Sequence, residues 1–354
     1  MEKLFSNATI GNYITKNSIA MAPMTRSRAE SNMATAMMAE YYAQRASAGL
    51  IITEGVAPHA NGLGYARIPG IFTTTQMKAW QQVADAVHQK GGLVFMQLMH
   101  TGRIGHADNM PADAQLVGPS ALAAHAKIYI DGKGLVDMPQ PHSLQIEQIH
   151  ESIASYAQAA QFAIDAGFDG VELHAASGYL PNQFLATNAN IRTDAYGGSF
   201  QNRARYVLEM VHAVCNTIGS NKVGIKFSPG MAFNDIHIND SAIIYQHLLE
   251  ALNKQSLAYV HVMHNEHHIN QPGGFEPVLA FRNWYKGRLL VGGGLTAQSG
   301  ETMLQQGLAD MAVYGALFIA NPDLPHRFKH GLPLTEAKKH FFYTPGPQGY
   351  TDYM

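Results

Sequence analysis

IEQIHESIASYAQAAQFAIDAGFDGVELH, residues Ile146 to His174, reads as one complete passage from helix into strand. Ile146, Ile149, Ile153, Tyr156, Ala160 and Ala163 return at steps of three or four, which lays them along one helical face. Gly167 follows, a residue type that lets the chain leave a helix. Asp169–His174 then forms a short apolar run that stops at histidine, the pattern of a parallel strand covered on both faces.

Seven more runs of this kind flank it: Ser18–Ala22, Leu50–Thr53, Leu93–Leu98, Val223–Ser228, Ala258–Met263, Leu289–Gly292 and Met311–Tyr314. Helical spacing separates them. Arg203 to Ile218 repeats the stripe through Val207, Met210, Val211 and Val214 and stops at Gly219. Asp240 and Thr296 read as caps of two later helices. Eight strands with intervening helices and no second block of composition predict an α/β protein, one closed (β/α)8 TIM barrel over residues 1–354. An open doubly wound sheet is the rival. Residues 103–141 are rich in Gly, Pro, Asp and Ala and lack helical spacing. They read as an excursion after strand three, with a hairpin that could cover the site.

Composition narrows the class. Of 354 residues, 46% are hydrophobic and 14% charged, which suits a large core and excludes disorder. A formal charge of -2 argues against a nucleic-acid partner. No apolar run is long enough to span a bilayer, and the first residues lack the layout of a secretion signal, so a cytoplasmic protein without membrane contact is expected. The single cysteine, Cys215, shares a helical stripe with Val207 and Val211 and reads as a buried thiol.

In such a barrel the site lies at the C-terminal strand ends. Those ends hold Pro23-Met24-Thr25, Glu54-Gly55, Gln97 with His100, His174, Lys226, His261 with His264, Gly292-Gly293-Gly294, and Gly315. Glycines before a helix start can turn backbone N–H groups toward an anion, and the loops after strands seven and eight are the usual phosphate site. The same glycines also suit a tight turn. His174 with Tyr179 pairs a hydrogen-bond donor with a proton source, or a core histidine with a packing tyrosine. Glu54 reads as a structural acceptor, and Arg26 and Arg28 as surface or structural pairing. His261, His264, His267 and His268 have spacings that could suit zinc on a helix, but they follow a strand and lack a carboxylate pattern, so no metal is expected.

FDGVELHAASGYLPNQFLATNANIRTDAYGGSFQNRARYVLE resembles the long signature of the Old Yellow Enzyme family. MAPMTRSRA, MMAEYYAQRASAGLIITEG, GLGYARIPGIFT, QLMHTGR, NPDLPHRF and GYTDY resemble it in the same order, and the tail and QLMHTGR are most similar to the bacterial N-ethylmaleimide reductase branch. The resemblance implies FMN at the barrel mouth and NADPH or NADH as reductant. It implies Pro23, Met24 and Thr25 beside the flavin ring, Gly55 for close backbone approach, Gln97 at the pyrimidine edge and Lys226 near N1/O2. It implies Gly293, Gly294, Gly315 and Ala316 at the phosphate, His174 and Ser177 on the substrate oxygen, and Tyr179 as proton donor. Tyr65, Met99 and Tyr350 would wall the substrate. The implied reaction is hydride transfer to an enone, maleimide or nitro compound by a monomer or weak homo-oligomer.

Four positions depart from the family pattern. Ser177 stands where His or Asn is usual, Lys226 where Arg is usual, and Met99 where that branch often has Trp. Tyr314-Gly315-Ala316 replaces Phe-Gly-Arg, which removes the arginine at the phosphate. A barrel of the same fold that binds FMN or another ligand without catalysis is therefore the alternative reading.

Overall fold

Eight parallel strands close into a barrel in the computed structural model, which describes residues 1–264 and 275–353. They are β1 (Ile19–Met21), β2 (Leu50–Val56), β3 (Val94–Leu98), β4 (Gly170–Ala175), β5 (Val223–Phe227), β6 (Tyr259–Met263), β7 (Leu289–Gly292) and β8 (Met311–Tyr314). Each pairs with its neighbours in sequence, and β8 returns to β1 through Ala312–Ile19 and Val313–Ala20. That last pairing excludes the open sheet. The helices that follow the strands in turn are α1 (Ala36–Gln44), α2 (Thr74–Gln89), α3 (Ile146–Asp165), α4 (Phe200–Ile218), α5 (Ser241–Leu252), α6 (Pro277–Trp284), α7 (Ala297–Gln305) and α8 (Leu324–His330).

Two apolar layers form because each strand offers side chains to both faces. Ala20, Leu50, Ile52, Phe95, Tyr259, Leu290, Met311 and Val313 fill the barrel, and Ile10 from a short N-terminal hairpin joins them. The helices cover the outside, where Ile149, Ile153 and Tyr156 of α3 are buried with Val207, Met210 and Val214 of α4. Cys215 is buried on that stripe, and burial pushes its thiol up to about 11.

Strand β2 runs beyond the expected Thr53 to Val56, because the register shifts between Ile52 and Gly55. Thr53 and Glu54 occupy that irregularity, where the Thr53 hydroxyl accepts from Gln97 N at 3.1 Å. Thr296 caps α7 as expected, accepting from Ser299 N. Asp240 stands at the start of α5 but makes no cap: its carboxylate takes Arg203 instead. A charge-assisted pair with a buried guanidinium outweighs one backbone bond.

The excursion after β3 contains an antiparallel hairpin, Lys127–Ile130 with Gly134–Asp137. Arg26 and Arg28, both 1% exposed, make structural pairings. Arg28 donates to the carbonyls of Phe341, Phe342, Gly346 and Gln348, and Arg26 to those of Phe342 and Gly349. Together they hold the C-terminal segment against the barrel mouth. Among the described residues, no helix is long and apolar enough to cross a membrane.

Candidate active site

A cavity of about 820 Å³ opens where β1, β3, β4 and β5 end. Pro23, Thr25, Tyr65, Gln97, Met99, His174, Ser177, Tyr179 and Lys226 line it, so most of the side chains singled out in the sequence meet in one place. Sheet register explains part of this convergence. His174 lies opposite Lys226, and Lys226 opposite His261, on three neighbouring strands.

A buried polar network supports the floor. His261 Nδ1 lies 2.9 Å from Glu172 Oε2, and Gln97 Nε2 donates to Glu172 Oε1 at 2.8 Å. Burial pushes the Glu172 carboxyl up, but His261 and Lys226 outweigh that effect and leave it below its ordinary value. Burial lowers Lys226 and His261, against the pull of Glu172. The balance favours the carboxylate form of Glu172, with His261 Nδ1 and the Gln97 amide hydrogen-bonded to it and Lys226 nearby.

Burial also holds His174 well below its usual range, with Lys226 and His261 acting in the same direction. Its Nδ1 accepts from Ala176 N at 3.3 Å, so the remaining ring proton sits on Nε2. The Tyr179 ring packs edge-on against His174 with centroids 4.8 Å apart. Burial, then Tyr65, raise the Tyr179 phenol well above 10, which keeps its proton in place. That hydroxyl reaches Tyr65 Oη at 3.3 Å. Ser177 adopts a left-handed conformation, φ 56°, and its N–H donates to Ser228 Oγ at 2.8 Å. Asn234 Nδ2 donates to the Ser177 carbonyl at 2.8 Å.

The ring end of the cavity fits a flavin. Among the described residues, no protein acceptor takes a hydrogen bond from the Lys226 ammonium, although the residue is only 6% exposed and lines the cavity. Gln97 spends one amide N–H on Glu172 and keeps its oxygen for a second partner. Gly293, Gly294, Gly315 and Ala316, expected at the phosphate, are not among the residues that line this cavity; Gly294 has φ 74° and open space where a side chain would stand. Gly293, φ 120°, is needed for packing, since a Cβ there would lie 2.3 Å from the His264 carbonyl. Ala316 opens a short helix, Ala316–Ala320, right after Gly315, and contributes no charge.

Three further expected site residues, Gly55, Met24 and Tyr350, are not among those that line the cavity. Gly55 is packed against Met99, whose sulfur would lie 2.5 Å from a Cβ, so the close neighbour there is a side chain. The Met24 sulfur lies near Gly315, 3.5 Å from where a Cβ would stand. Tyr350 does not wall the cavity: it is fully buried, stacked on Tyr41 with centroids 4.0 Å apart and covered by the Arg26 and Arg28 guanidinium groups. Glu54 is a buried acceptor for the Tyr42 hydroxyl. Of the histidine cluster, His261 serves Glu172 and His264 faces Glu276 at 3.5 Å, while His267 and His268 lie outside the described residues. Among the described residues no group of three or more His, Cys, Asp or Glu could hold a metal ion.

The sequence reading expects a hairpin within residues 103–141 near the site but names none of the residues of the outer wall. Arg67, Lys127, Ile128, Tyr129, Asp131, Leu135, Phe233 and Tyr343 also line the cavity. The alternation in KIYI was the available signal for the hairpin, but nothing local shows which face it turns to the site.

Comparison with known proteins agrees with this geometry. Residues 3–335 match the NADH:flavin oxidoreductase / NADH oxidase family. A probable flavin mononucleotide-dependent alkene reductase of Leishmania infantum is 37% identical, over 97% of this chain and 95% of that protein. The solved old yellow enzyme homologue from Zymomonas mobilis superposes with a TM-score of 0.95 at 35% identity, covering 99% of both chains. Morphinone reductase in complex with tetrahydroNAD gives 0.93 at 39% identity, over 99% of this chain and 97% of that one. With its barrel, its cavity and these matches along nearly its whole length, the chain belongs to the NADH:flavin oxidoreductase family typified by Old Yellow Enzyme.

Proposed function

We propose that this protein reduces activated carbon–carbon double bonds, as in enones and maleimides, or nitro compounds, at the expense of NADPH or NADH. FMN would be held by Pro23, Thr25, Gln97 and Lys226 at its ring and by the Gly294 and Gly315 backbone at its phosphate. Reduced FMN, when bound, supplies the hydride that the acceptor's β-carbon receives.

The chain's own residues prepare the acceptor. Neutral His174 donates from Nε2 to the carbonyl or nitro oxygen, drawing electron density away from the β-carbon. Lys226 places a positive charge near that same end of the cavity. Tyr179 delivers its proton to the α-carbon, and Tyr65, within hydrogen-bond reach of its oxygen, can help return one. The packing of Tyr179 on His174 sets donor and acid side by side, so an acceptor held by one lies beside the other. The observation that carries this reading is a histidine kept neutral next to a tyrosine kept protonated, both facing one large cavity.

Ser177 and Ala316 favour a second reading, a barrel that keeps the ligand site without turnover. One experiment separates the two. FMN-loaded protein is mixed anaerobically with NADPH or NADH, then with cyclohexenone or N-ethylmaleimide. Bleaching of the flavin followed by recovery of colour and saturated product supports the reductase. Bound flavin that neither donor bleaches, or no product from any acceptor, gives the second reading the lead.

A further inference from the structure

The rim of the cavity carries several large apolar side chains beside Arg67, Lys127 and Asp131. Among the described residues, Tyr129, Leu135, Phe233 and Tyr343 are large hydrophobic side chains at least half exposed, and all four line this cavity. Single exposed apolar residues are ordinary on a protein surface. These four come from three separate stretches of chain and meet at one mouth, which scatter does not explain.

Hairpin geometry sharpens the point. Strand alternation turns Ile128 and Ile130 inward and leaves Lys127 and Tyr129 outward, and on the facing strand Leu135 and Asp137 point outward. The register sets Lys127 opposite Asp137 and Tyr129 opposite Leu135. The outer face therefore carries a polar rung, with Lys127 and Asp137 3.8 Å apart, and then an apolar rung. An apolar cross-strand pair gains most when something covers it. Arg67 braces the opposing walls: it pairs with Asp131 at the hairpin tip and donates to the Tyr343 carbonyl at 2.9 Å. The rim is thus held in shape before anything binds.

We propose that this rim binds a hydrocarbon arm of the substrate. The substrate class is an activated alkene whose electrophilic end meets His174 and Tyr179 and whose apolar extension runs outward between the hairpin and the C-terminal segment. This rests on the alkene-reductase reading above. The cavity, at about 820 Å³, lies toward the upper end of the range for pockets that enclose drug-sized ligands, and a small cyclic enone at the flavin leaves the rim uncovered. Each methylene that moves from water onto the rim is worth roughly a threefold to fourfold gain in binding.

Two series test it. FMN-loaded protein is assayed with cyclohexenones bearing progressively longer 4-alkyl groups, and the matching saturated 4-alkylcyclohexanones, which cannot be reduced, are titrated by calorimetry. KM for the enones and Kd for the ketones are both expected to fall about threefold per methylene until the arm passes the rim. Leu135→Ser and Phe233→Ser change exposed positions, so the fold is retained, and both are expected to flatten that dependence. Flat KM and Kd across the series, or variants that keep the full dependence, overturn the proposal. So does a rise in KM for NADPH in these variants with an unchanged dependence on arm length, because the rim would then serve the donor's adenine. If no enone is turned over, the reductase reading fails, and the ketone titration still decides the rim.

Discussion

Ala316 is the residue whose chemistry departs furthest from the family pattern, because a methyl group stands where a phosphate-binding guanidinium is usual. Ala316→Arg at the start of its short helix would restore a charge-assisted bond of about 1.5–3 kcal/mol, so FMN affinity is expected to rise by one to two decades. Titration by quenching of FMN fluorescence measures this, and an unchanged Kd would place the phosphate elsewhere. Tyr179 has a different signature. Tyr179→Phe removes the acid while leaving the ring against His174, so alkene reduction is expected to fall by about 10²–10⁴. Bleaching of the flavin by NADPH or NADH, which needs no proton from Tyr179, should keep its rate in stopped flow. The placing of Tyr179 beside His174 at the cavity was legible in the sequence, since HAASGYL holds both within a few positions. Tyr350 was not, because its side chain is captured by Tyr41 and two arginines that lie more than 300 residues earlier in the chain.

The elements divide along the same line between local and distant causes. Strand positions were legible because a buried parallel strand needs a short apolar run wherever its partners lie. The irregularity at Thr53 and Glu54 was not, since it is defined against β3 and supported by the Tyr42 hydroxyl. Asp240 carries the right residue type for a cap and lost that role to Arg203, a neighbour brought in by folding. The C-terminal segment is the largest case. Among the described residues it has no regular structure beyond one short turn, Lys339–Phe341, and it depends on Arg28 for four carbonyl contacts. Arg28 stays charged at neutral pH, although burial and then Arg26 lower it to about 10. Arg28→Ala is expected to cost about 3 kcal/mol, as charge-assisted bonds are lost inside the protein. It should also loosen the wall that carries Tyr343. Limited proteolysis is expected to cut near residues 340–348 in the variant first, and equal resistance in both proteins would mean that packing alone holds the segment.

Across the whole molecule, the buried ionisable groups set how stability answers to pH. Burial lowers His100 to about 3, helped by His59, and lowers His174, His261 and His59 as well. A folded-state value below the unfolded one means that the unfolded chain takes up protons first, so each histidine removes stability as pH falls through about 6.5. Glu54 acts the other way. Burial raises it to about 7, against the pull of Arg26, so the folded protein holds its proton between about 4.5 and 7 and gains stability as pH falls across that window. Below about pH 6.5 the buried histidines and Glu54 act in opposite directions, with burial the largest cause of the shift in both His100 and Glu54. The stability of the flavin-free protein should therefore drop as pH falls below about 6.5, because the lowered histidines outnumber the one raised carboxyl. Urea unfolding at several pH values between 5 and 8 measures that slope. Glu54→Gln removes the one opposing group while keeping an acceptor for Tyr42. Its unfolding curve should fall more steeply on acidification and lie above that of the parent protein at pH 8, by an amount that vanishes toward pH 4.5. Parallel curves for the two proteins would show that Glu54 stays ionised when the protein is folded, with Arg26 and Arg28 outweighing the cost of its burial.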